Sequence, residues 1–556
     1  MKFSNWDRTV LLCGLCAAVY ILLAVIGGIR SYSPVPFWDM WEGIDSVVKA
    51  TNGDAGAWWM QHNEHRIVFT RILIWANIVL FKGTGVFLIA VNYILAGLCF
   101  LLLFVCLAET LGDKAEKQCR NSMAFILLAL SFSWLQKANF CWEFQSQFFL
   151  AQLVPLLSFY LLHRSCVSSA RSSPLFVWAC LAGVISSVTL ASGILTLPLM
   201  LLLAMVLRTG WRRITVLATL AVITVLVYFY NYHTPEGNGS FFETLRHDPA
   251  GILQYMLLYL GGPFYFLPGI VSKPVAQMAG VFLIGSAVFF AIRAIRTPDR
   301  PSLTLALLTF LLYIGGTAAG TAGGRLISGT MLALSSRYQT PVLMAWSVLL
   351  ILYAPSIAKK AGDASFRSFR PLLLIPAFLF PCQLDALRSR KGEMFERKVA
   401  ALAIELGVKD QAQISATVYP DANLVLKLAE IPKERNLSIF GNPLIKDAAQ
   451  LIGRVESVQP DRHYMGSIDG IVRIDGGFPY FCVWGWLFEK DTRSVPEVIH
   501  ILNESGVVIG YALTGQPRPD VEKIAGHRAK FAGFKGYVLP GKITGDRIIL
   551  QGVDLE

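Results

Sequence analysis

The sequence has few charged residues: aspartate, glutamate, lysine and arginine make up 15% of the chain, whereas hydrophobic residues make up 54%. The mean hydropathy is +0.53. A soluble globular chain carries about 25% charged residues, so this composition argues against that class and indicates a polytopic membrane protein. The net charge of +12 requires no nucleic-acid partner, because the basic residues lie in short turns between apolar segments.

The sequence also lacks cysteine motifs and phosphate-binding loops. The ten cysteines lie mostly in apolar segments, with neither metal-ligand spacing nor a paired framework, which indicates small residues compatible with lipid. No Gly-rich phosphate loop, dinucleotide fingerprint or nucleophile elbow occurs in the sequence. These absences argue against a soluble nucleotide as substrate and against energy coupling by nucleotide hydrolysis.

Apolar segments long enough to span a bilayer are predicted at about eleven places. The first, 10–29, carries no charge and can cross the hydrocarbon core as a helix. No Ala-x-Ala cleavage site follows it, so we predict a retained first span rather than a signal peptide. The other segments are 84–108, 122–137, 148–163, 174–190, 193–207, 215–232, 275–292, 302–320, 340–355 and 371–385.

Every second turn between these segments is short and basic, for example 208–213 and 293–300. The positive-inside rule places such turns and the N-terminus in the cytoplasm, and the alternate loops outside. An odd number of spans then places the chain after residue 386 outside as well. Two interrupted apolar segments, 67–81 and 252–267, are predicted to lie flat in the outer interface.

The composition changes after residue 385, where charged residues become frequent and apolar runs shorten. We therefore predict a transmembrane domain over 1–385, a helical connector outside the membrane over 386–459, and a small β-sandwich over 460–556. The predicted strands are 471–474, 480–488, 497–502, 507–514, 536–538 and 547–550.

The first outer loop concentrates carboxylates and tryptophans. Asp39 and Glu42 are spaced to share one face of a helix, and Trp38 and Trp41 flank them. A half-desolvated carboxylate at the membrane surface can act as a general base toward a hydroxyl or an amine. The alternative is an interfacial helix with a solvated acidic face.

A second cluster in the same loop runs from His62 to Arg66 and includes Glu64 and His65. It is not the His-Glu-x-x-His pattern, and it lacks the i, i+4 histidine pair of such a zinc site. We predict that Arg66 and a histidine contact phosphate oxygens, because a guanidinium donates two parallel hydrogen bonds. A divalent-cation site and a capping cluster at the membrane edge are the alternatives.

Two later outer loops carry further candidates. Trp142, Glu143 and Gln145 alternate amides and acids with aromatic rings, which is typical of sugar recognition; the alternative is an interfacial aromatic belt. Arg325 and the pair Arg337-Tyr338 lie next to apolar spans, where they can hold the phosphate of a lipid carrier. Simple snorkelling of arginine at a helix end is the alternative.

This pattern resembles the GT-C-type membrane glycosyltransferases, particularly bacterial enzymes that modify O-antigens, other surface polysaccharides or pilins. Asp39, in Phe-Trp-Asp-Met-Trp-Glu, matches the position of the family's acidic residue. Ser336-Arg-Tyr338 is similar to the Arg-Tyr signature that some members place before a late span. The Asp-Asp pair of some members is missing, which leaves the choice among Asp39, Glu42 and Glu64 open.

The resemblance implies a GT-C-like fold for 1–385 in the bacterial inner membrane. It also implies transfer of a sugar from a polyprenyl-phosphate donor to a surface glycan, a lipid-linked saccharide or a protein on the periplasmic side. Trp38, Trp41, His62, Trp142, Glu143 and Gln145 are then the sugar or acceptor contacts. No cofactor is expected, with a divalent cation left open.

Two other functions compete with this interpretation. An O-antigen ligase or polymerase is the nearest, although its basic residues tend to lie in one large late loop. A transporter or flippase for lipid-linked glycans would place charges within several spans and often shows internal repeats, and the sequence shows neither feature.

The end of the chain, with Val483-Trp-Gly-Trp-Leu487, looks like a β-domain found in glycan-handling proteins.

Overall fold

The computed structural model describes residues 5–112, 117–235, 237, 239–267, 272–363, 370–458, 462–476, 479–542 and 548–554. The protein is mostly helical (69%). Its contacts divide it into two compact units. The first unit comprises Met1–Ile29, Asp54–Ile72 and Leu88–Arg388, and the second comprises Arg30–Gly53, Leu73–Phe87 and Ser389–Glu556.

The α-helices of the described residues are numbered in chain order. They are α1 (Asn5–Ser31), α2 (Met40–Thr51), α3 (Val68–Phe81), α4 (Val86–Leu111), α5 (Lys117–Ser131), α6 (Lys137–Cys141), α7 (Ser146–Val167), α8 (Ser172–Ser186), α9 (Thr196–Leu207), α10 (Trp211–Phe229), α11 (Phe241–His247), α12 (Pro249–Leu260), α13 (Gly262–Tyr265), α14 (Ser272–Arg296), α15 (Ser302–Arg325), α16 (Gln339–Asp363), α17 (Arg370–Gln383), α18 (Lys391–Glu405), α19 (Gln411–Thr417), α20 (Ala422–Leu428), α21 (Glu430–Glu434), α22 (Ala448–Leu451) and α23 (Pro519–Ala525).

Eight helices among the described residues are long and apolar enough to cross a membrane. They coincide with eight of the eleven predicted spans, and the other three spans fall on shorter apolar helices. The eight are Arg8–Ser31, Val86–Leu111, Lys117–Cys141, Glu143–Val167, Trp211–Phe229, Ser272–Arg296, Ser302–Ser328 and Ser336–Lys359. The shorter ones are Val68–Phe81, Ser172–Ser186, Ala191–Leu207, Pro249–Leu260 and Leu374–Leu387. A membrane-embedded protein is therefore supported, while the count of eleven spans stays a prediction.

The core of the first unit is a continuous cluster of leucine, phenylalanine, tyrosine and alanine side chains from α4, α5, α7, α12, α15 and α16. Small residues allow the closest helix contacts, as is common in membrane bundles. At Gly280 of α14, for example, an added Cβ would collide with the carbonyl oxygen of Leu257 in α12. The pairing of α12 with α14 therefore depends on glycine at this position.

A partly buried polar network joins three helix ends in the first unit. His163 of α7 lies 2.8 Å from Glu109 at the end of α4 through Nε2, and 2.8 Å from Ser302 at the start of α15 through Nδ1. Arg164 also donates to Glu109, at 3.3 Å. Each charged side chain thus has partners, as groups in an apolar surrounding require.

The second unit contains an antiparallel sheet near the end of the chain. Its strands are β1 (Tyr464–Arg473), β2 (Phe481–Glu489), β3 (Val498–Leu502), β4 (Val508–Gln516), β5 (Gly533–Val538) and β6 (Ile549–Val553), in the spatial order β1-β2-β5-β4-β3-β6. Each strand overlaps one predicted from the sequence. The described strands form a single curled sheet, however, where the sequence predicted a two-sheet sandwich.

Helices take the place of the second sheet. On one face of the curled sheet, side chains from different strands pack together around Val483 and Phe534. Tyr511 and Tyr537 on the other face join a core formed with Phe395 and other residues of α18. Register shifts in three strand pairs add bulges, which increase the local twist and so favour curling. The helices of 386–459 and the sheet therefore share one hydrophobic core.

Candidate functional site

An ion pair between Glu64 and Arg325 forms the centre of the candidate site in the first unit. Arg325 Nη2, at the end of α15, lies 3.0 Å and 3.1 Å from the two carboxylate oxygens of Glu64. His65 Nε2 lies 3.7 Å from the same carboxylate. His65 accepts a hydrogen bond at Nδ1 from the main chain of Ala191, so its Nε2 carries the proton and faces Glu64.

A tight turn presents Glu64 and His65. The main chains of His62 and His65 exchange two hydrogen bonds, of 2.9 Å and 2.8 Å. Asn63 at the tip has a φ of +47°, a left-handed conformation that asparagine tolerates better than most residues. Tyr228 donates to the carbonyl of Glu64 at 2.6 Å. The carboxylate is therefore held on a defined backbone.

Arg66 is directed into the protein rather than toward an open site. It is 3% exposed, and its guanidinium donates to the carbonyls of Trp59 at 2.7 Å and Tyr230 at 2.8 Å. Burial lowers the pKa of Arg66 below its usual value. Arg71 similarly donates to Met60 at 2.6 Å. Through these hydrogen bonds to main-chain carbonyls, Arg66 and Arg71 stabilise the backbone around the turn. The contact of Arg66 with phosphate stays a prediction.

Arg337 and Tyr338 lie on a short 3₁₀ turn just before α16. The Arg337 guanidinium carbon is 5.2 Å from the centre of the Tyr338 ring, and that ring lies 5.4 Å from the ring of Tyr259. The Arg337 carbonyl accepts a hydrogen bond of 2.9 Å from Asn139. Tyr338 is buried, and its ring contacts both Arg337 and Tyr259.

Tyr255 of α12 joins this group, and sequence reasoning missed it. Its side chain is fully buried, and its hydroxyl has no hydrogen-bond partner among the described residues. The same is true of the buried Nε of Arg337. Tyr255 lies one turn before Tyr259 in α12, and the Tyr259 ring contacts that of Tyr338, the neighbour of Arg337. The charges of Arg337 and Arg325 both act on the Tyr255 hydroxyl. Buried donors normally have acceptors. An oxyanion would supply acceptors for the Tyr255 hydroxyl and the Arg337 Nε and would match the charge of the arginines.

Glu143 and Gln145 lie on a short buried 3₁₀ helix just before α7, and the partly buried Trp142 immediately precedes it. The Gln145 side chain is 1% exposed, and its carbonyl oxygen has no partner among the described residues. The neighbouring Phe144 ring lies 5.0 Å from the ring of His62. The structure therefore brings this loop against the turn that carries Glu64.

The remaining predicted residues belong to the second unit. Asp39 is the N-cap residue of α2 but its carboxylate does not cap the helix, and Glu42 lies in the first turn. Trp41 is fully buried against Phe440, whereas Trp38 is 43% exposed. Trp38 also has a φ of +48°, an unusual strain for a bulky residue, and such strain is often found at functional sites.

Tyr419 completes this second group. Its hydroxyl donates a hydrogen bond of 2.6 Å to Glu42 Oε1. The carbonyl of the preceding residue, Val418, accepts a hydrogen bond of 2.9 Å from the main-chain N–H of Trp38. Burial, followed by the charge of Glu42, raises the pKa of Tyr419. Residues 377 positions apart meet here, so no local pattern could have revealed the pair.

The structure thus groups Glu64, His65, Arg325, Arg337 and Tyr255 in the first unit, and Asp39 and Glu42 with Tyr419 in the second. Within the described residues, no three histidine, cysteine, aspartate or glutamate side chains are arranged to hold a metal ion. No protein-family model, curated protein or solved structure matches this chain.

Proposed function

We propose that this protein is a GT-C-type membrane glycosyltransferase that uses a polyprenyl-phosphate sugar as donor. The observation that carries the proposal is the group of Arg325, Arg337 and Tyr255, in which two buried donors lack acceptors. A phosphate diester supplies those acceptors and matches the charge of the arginines. The surrounding unit is apolar enough to reach a lipid carrier.

The reaction needs one base and one anion site. The acceptor hydroxyl oxygen attacks the anomeric carbon of the donor sugar, and its proton passes to a carboxylate. The bond between the anomeric carbon and the phosphate oxygen breaks, and polyprenyl phosphate leaves with the electron pair. The arginines stabilise the charge that develops on this phosphate, which is where an oxyanion site contributes most. Direct displacement inverts the anomeric configuration.

The identity of the base stays open between two groups. Asp39 is favoured by the family resemblance, and Glu42 next to it is held by Tyr419. Glu64 is favoured by its contact with Arg325, although a carboxylate in an ion pair must release that partner before it binds a proton readily. Replacement of each acid by its amide distinguishes them.

We also propose the membrane arrangement that the sequence predicts. The three shorter apolar helices in the predicted span positions complete eleven spans. With the N-terminus in the bacterial cytoplasm, this odd number places the chain after residue 386 in the periplasm. The candidate residues then face the periplasm, where lipid-linked sugars are presented. The basic turns support this orientation through the positive-inside rule.

Binding of polyprenyl phosphate to the protein in lipid nanodiscs tests the proposal without knowledge of the sugar. We expect Arg325→Gln and Tyr255→Phe each to weaken binding about tenfold, since each removes a donor to a charged group. Arg293→Gln, at the far end of α14, serves as the matched control and leaves binding unchanged. Equal binding by the native protein and both site variants would remove this group from the mechanism.

A further inference from the structure

A second candidate site lies on the sheet of the second unit, on the face that carries two indole rings. Side chains alternate along β2, so Trp484 and Trp486 share one face, whereas Val483 and Leu487 enter the core on the other. Trp486 packs with Phe488 and the segment around Ala529. Trp484 is only partly buried, at the side of β2 next to the edge strand β1.

Gly470 of β1 makes room for the indole of Trp484. The two residues are cross-strand partners, and a Cβ at position 470 would collide with the six-membered ring. The indole therefore extends over the backbone of the edge strand instead of packing on a neighbouring side chain. A ring held in this way is a rigid, accessible apolar surface, which costs little entropy when a ligand stacks on it.

An arginine and two carboxylates lie beside this indole. Arg518 Nη1 is 2.6 Å from Asp469, the residue that precedes Gly470, and Arg518 also binds Asp520 through Nη2 at 2.6 Å and Nε at 2.9 Å. A Cβ at Gly533 would lie 3.0 Å from Arg518 Cγ, and Gly533 pairs with Trp486. Arg518 therefore lies on the same face as the two indoles.

Both carboxylates bind the Arg518 guanidinium and remain accessible to solvent. The side chain of Arg518 is 18% exposed, whereas those of Asp469 and Asp520 are 35% and 61% exposed. Arg518 holds the pKa of Asp520 well below its usual range, so this acid is an acceptor at any physiological pH. Fixed acceptors beside an aromatic ring offer both kinds of contact that a sugar ring uses: hydroxyls donate, and C–H groups stack.

We propose that Trp484, Asp469, Arg518 and Asp520 form a binding site for one sugar unit of an oligosaccharide. Two carboxylates and one guanidinium leave a net charge of −1, so neutral and amino sugars are favoured over uronic or sialic acids. This site is separate in chemistry from the proposed transferase residues and requires neither a phosphate nor a lipid. Its role is to hold a glycan chain on the accessory sheet.

An array of defined oligosaccharides, neutral, amino-substituted and acidic, tests the proposal with the full chain in nanodiscs. We expect binding of neutral or amino-substituted chains. Trp484→Ala should lower the affinity at least about tenfold, because it removes the stacking surface. Asp520→Asn, an exposed and conservative change, should lower it several-fold even if Trp484→Ala disturbs the strand. Trp211→Ala, which removes another exposed tryptophan, is the matched control.

The transferase residues provide the second control. Arg325→Gln, which alters the proposed donor-phosphate group, should leave array binding unchanged, so failure of the proposed transferase activity and failure of this site give different results. Absence of binding to every oligosaccharide by the native chain would overturn the proposal. Native affinity in both Trp484→Ala and Asp520→Asn, or preference for acidic sugars, would overturn it equally.

Discussion

The hydrogen bond from Tyr419 to Glu42 gives a prediction at the scale of single residues. Tyr419→Phe removes the hydroxyl and leaves a partly buried carboxylate without this donor. We expect the free energy of unfolding to fall by about 1–2 kcal/mol, and sugar transfer to fall if Glu42 takes part in it. Thermal melting and a transfer assay measure the two effects separately.

Tyr480→Phe is the control for that change, because Tyr480 is half-buried in the same unit and its hydroxyl makes no hydrogen bond to the described residues. It should leave both stability and transfer unchanged. If Tyr419→Phe melts like the native protein, the 2.6 Å contact does not hold Glu42 in place.

Glu405 of α18 gives a prediction about pH. The residue is 8% exposed, and burial, opposed by Lys433 and reinforced by Asp447, raises its pKa from 4.5 to about 7. The folded chain therefore keeps a proton that the unfolded chain loses, so the stability present below pH 4.5 declines as the pH rises through 7. Glu405→Gln removes this loss, and we expect it to be more stable than the native protein at pH 8, by about 1–3 kcal/mol.

Melting curves at pH 5 and pH 8 measure this effect. The advantage of Glu405→Gln should be clearly smaller at pH 5, where the native carboxyl is largely protonated. Glu393→Gln in the same helix is the control, since that side chain is 55% exposed and should show no such difference. An advantage of Glu405→Gln that is equal at both pH values would contradict the assignment of the buried proton.

The candidate acids Asp39, Glu42 and Glu64, and the candidate arginine Arg325, could be selected from the sequence because they stand out against apolar surroundings. Their partners could not. Tyr255 lies within an apolar helix, where a tyrosine does not stand out in the sequence. Only the structure identifies it, because its buried hydroxyl has no acceptor among the described residues. Arg66 carries the strongest phosphate signal in its loop, yet two of the three carbonyls that it binds, those of Tyr228 and Tyr230, lie more than 160 residues away in the sequence.

Helix contacts give a prediction at the scale of elements. Gly280→Val places a side chain of α14 against the carbonyl of Leu257 in α12, and the two helices must separate. We expect a loss of about 1–3 kcal/mol in stability, typical of overpacking, measured by thermal melting of the purified protein. Gly285→Val in the same helix is the matched control, because nothing lies within 4 Å of its added Cβ.

A melting temperature for Gly280→Val equal to that of Gly285→Val would show that α12 and α14 are not in close contact. The helices themselves follow from apolar composition, and their bounds agree with the predicted spans to within several residues. Which glycine faces a neighbouring helix depends on tertiary packing, and this cannot be predicted from a single sequence.

The terminal sheet shows the same limit. Alternation and glycine spacing were enough to place all six strands, although β1 begins at Tyr464, seven residues before its predicted start. The sequence predicted a small β-sandwich, and the described strands form one curled sheet. The second face of that sheet packs on α18, within the segment predicted as a helical connector over 386–459.

At the scale of the whole molecule, acids and arginines lie among apolar helices. Eight helices within the described parts of the chain are long enough to support a membrane location. The grouping of Arg325, Arg337 and Tyr255 supports an anionic ligand there. Sugar transfer follows only if that ligand is the phosphate of a lipid-linked sugar and if one of the candidate carboxylates accepts the proton of the acceptor.

Mass analysis of surface glycans is the most direct test of this claim. Cells that lack the protein are compared with cells that express the native chain, Asp39→Asn, Glu42→Gln or Glu64→Gln, with equal amounts in the membrane. We predict that the native chain adds a mass increment of one sugar, and that at least one acid variant abolishes it. Identical glycans with and without the native protein, or full activity in all three variants, would contradict the account.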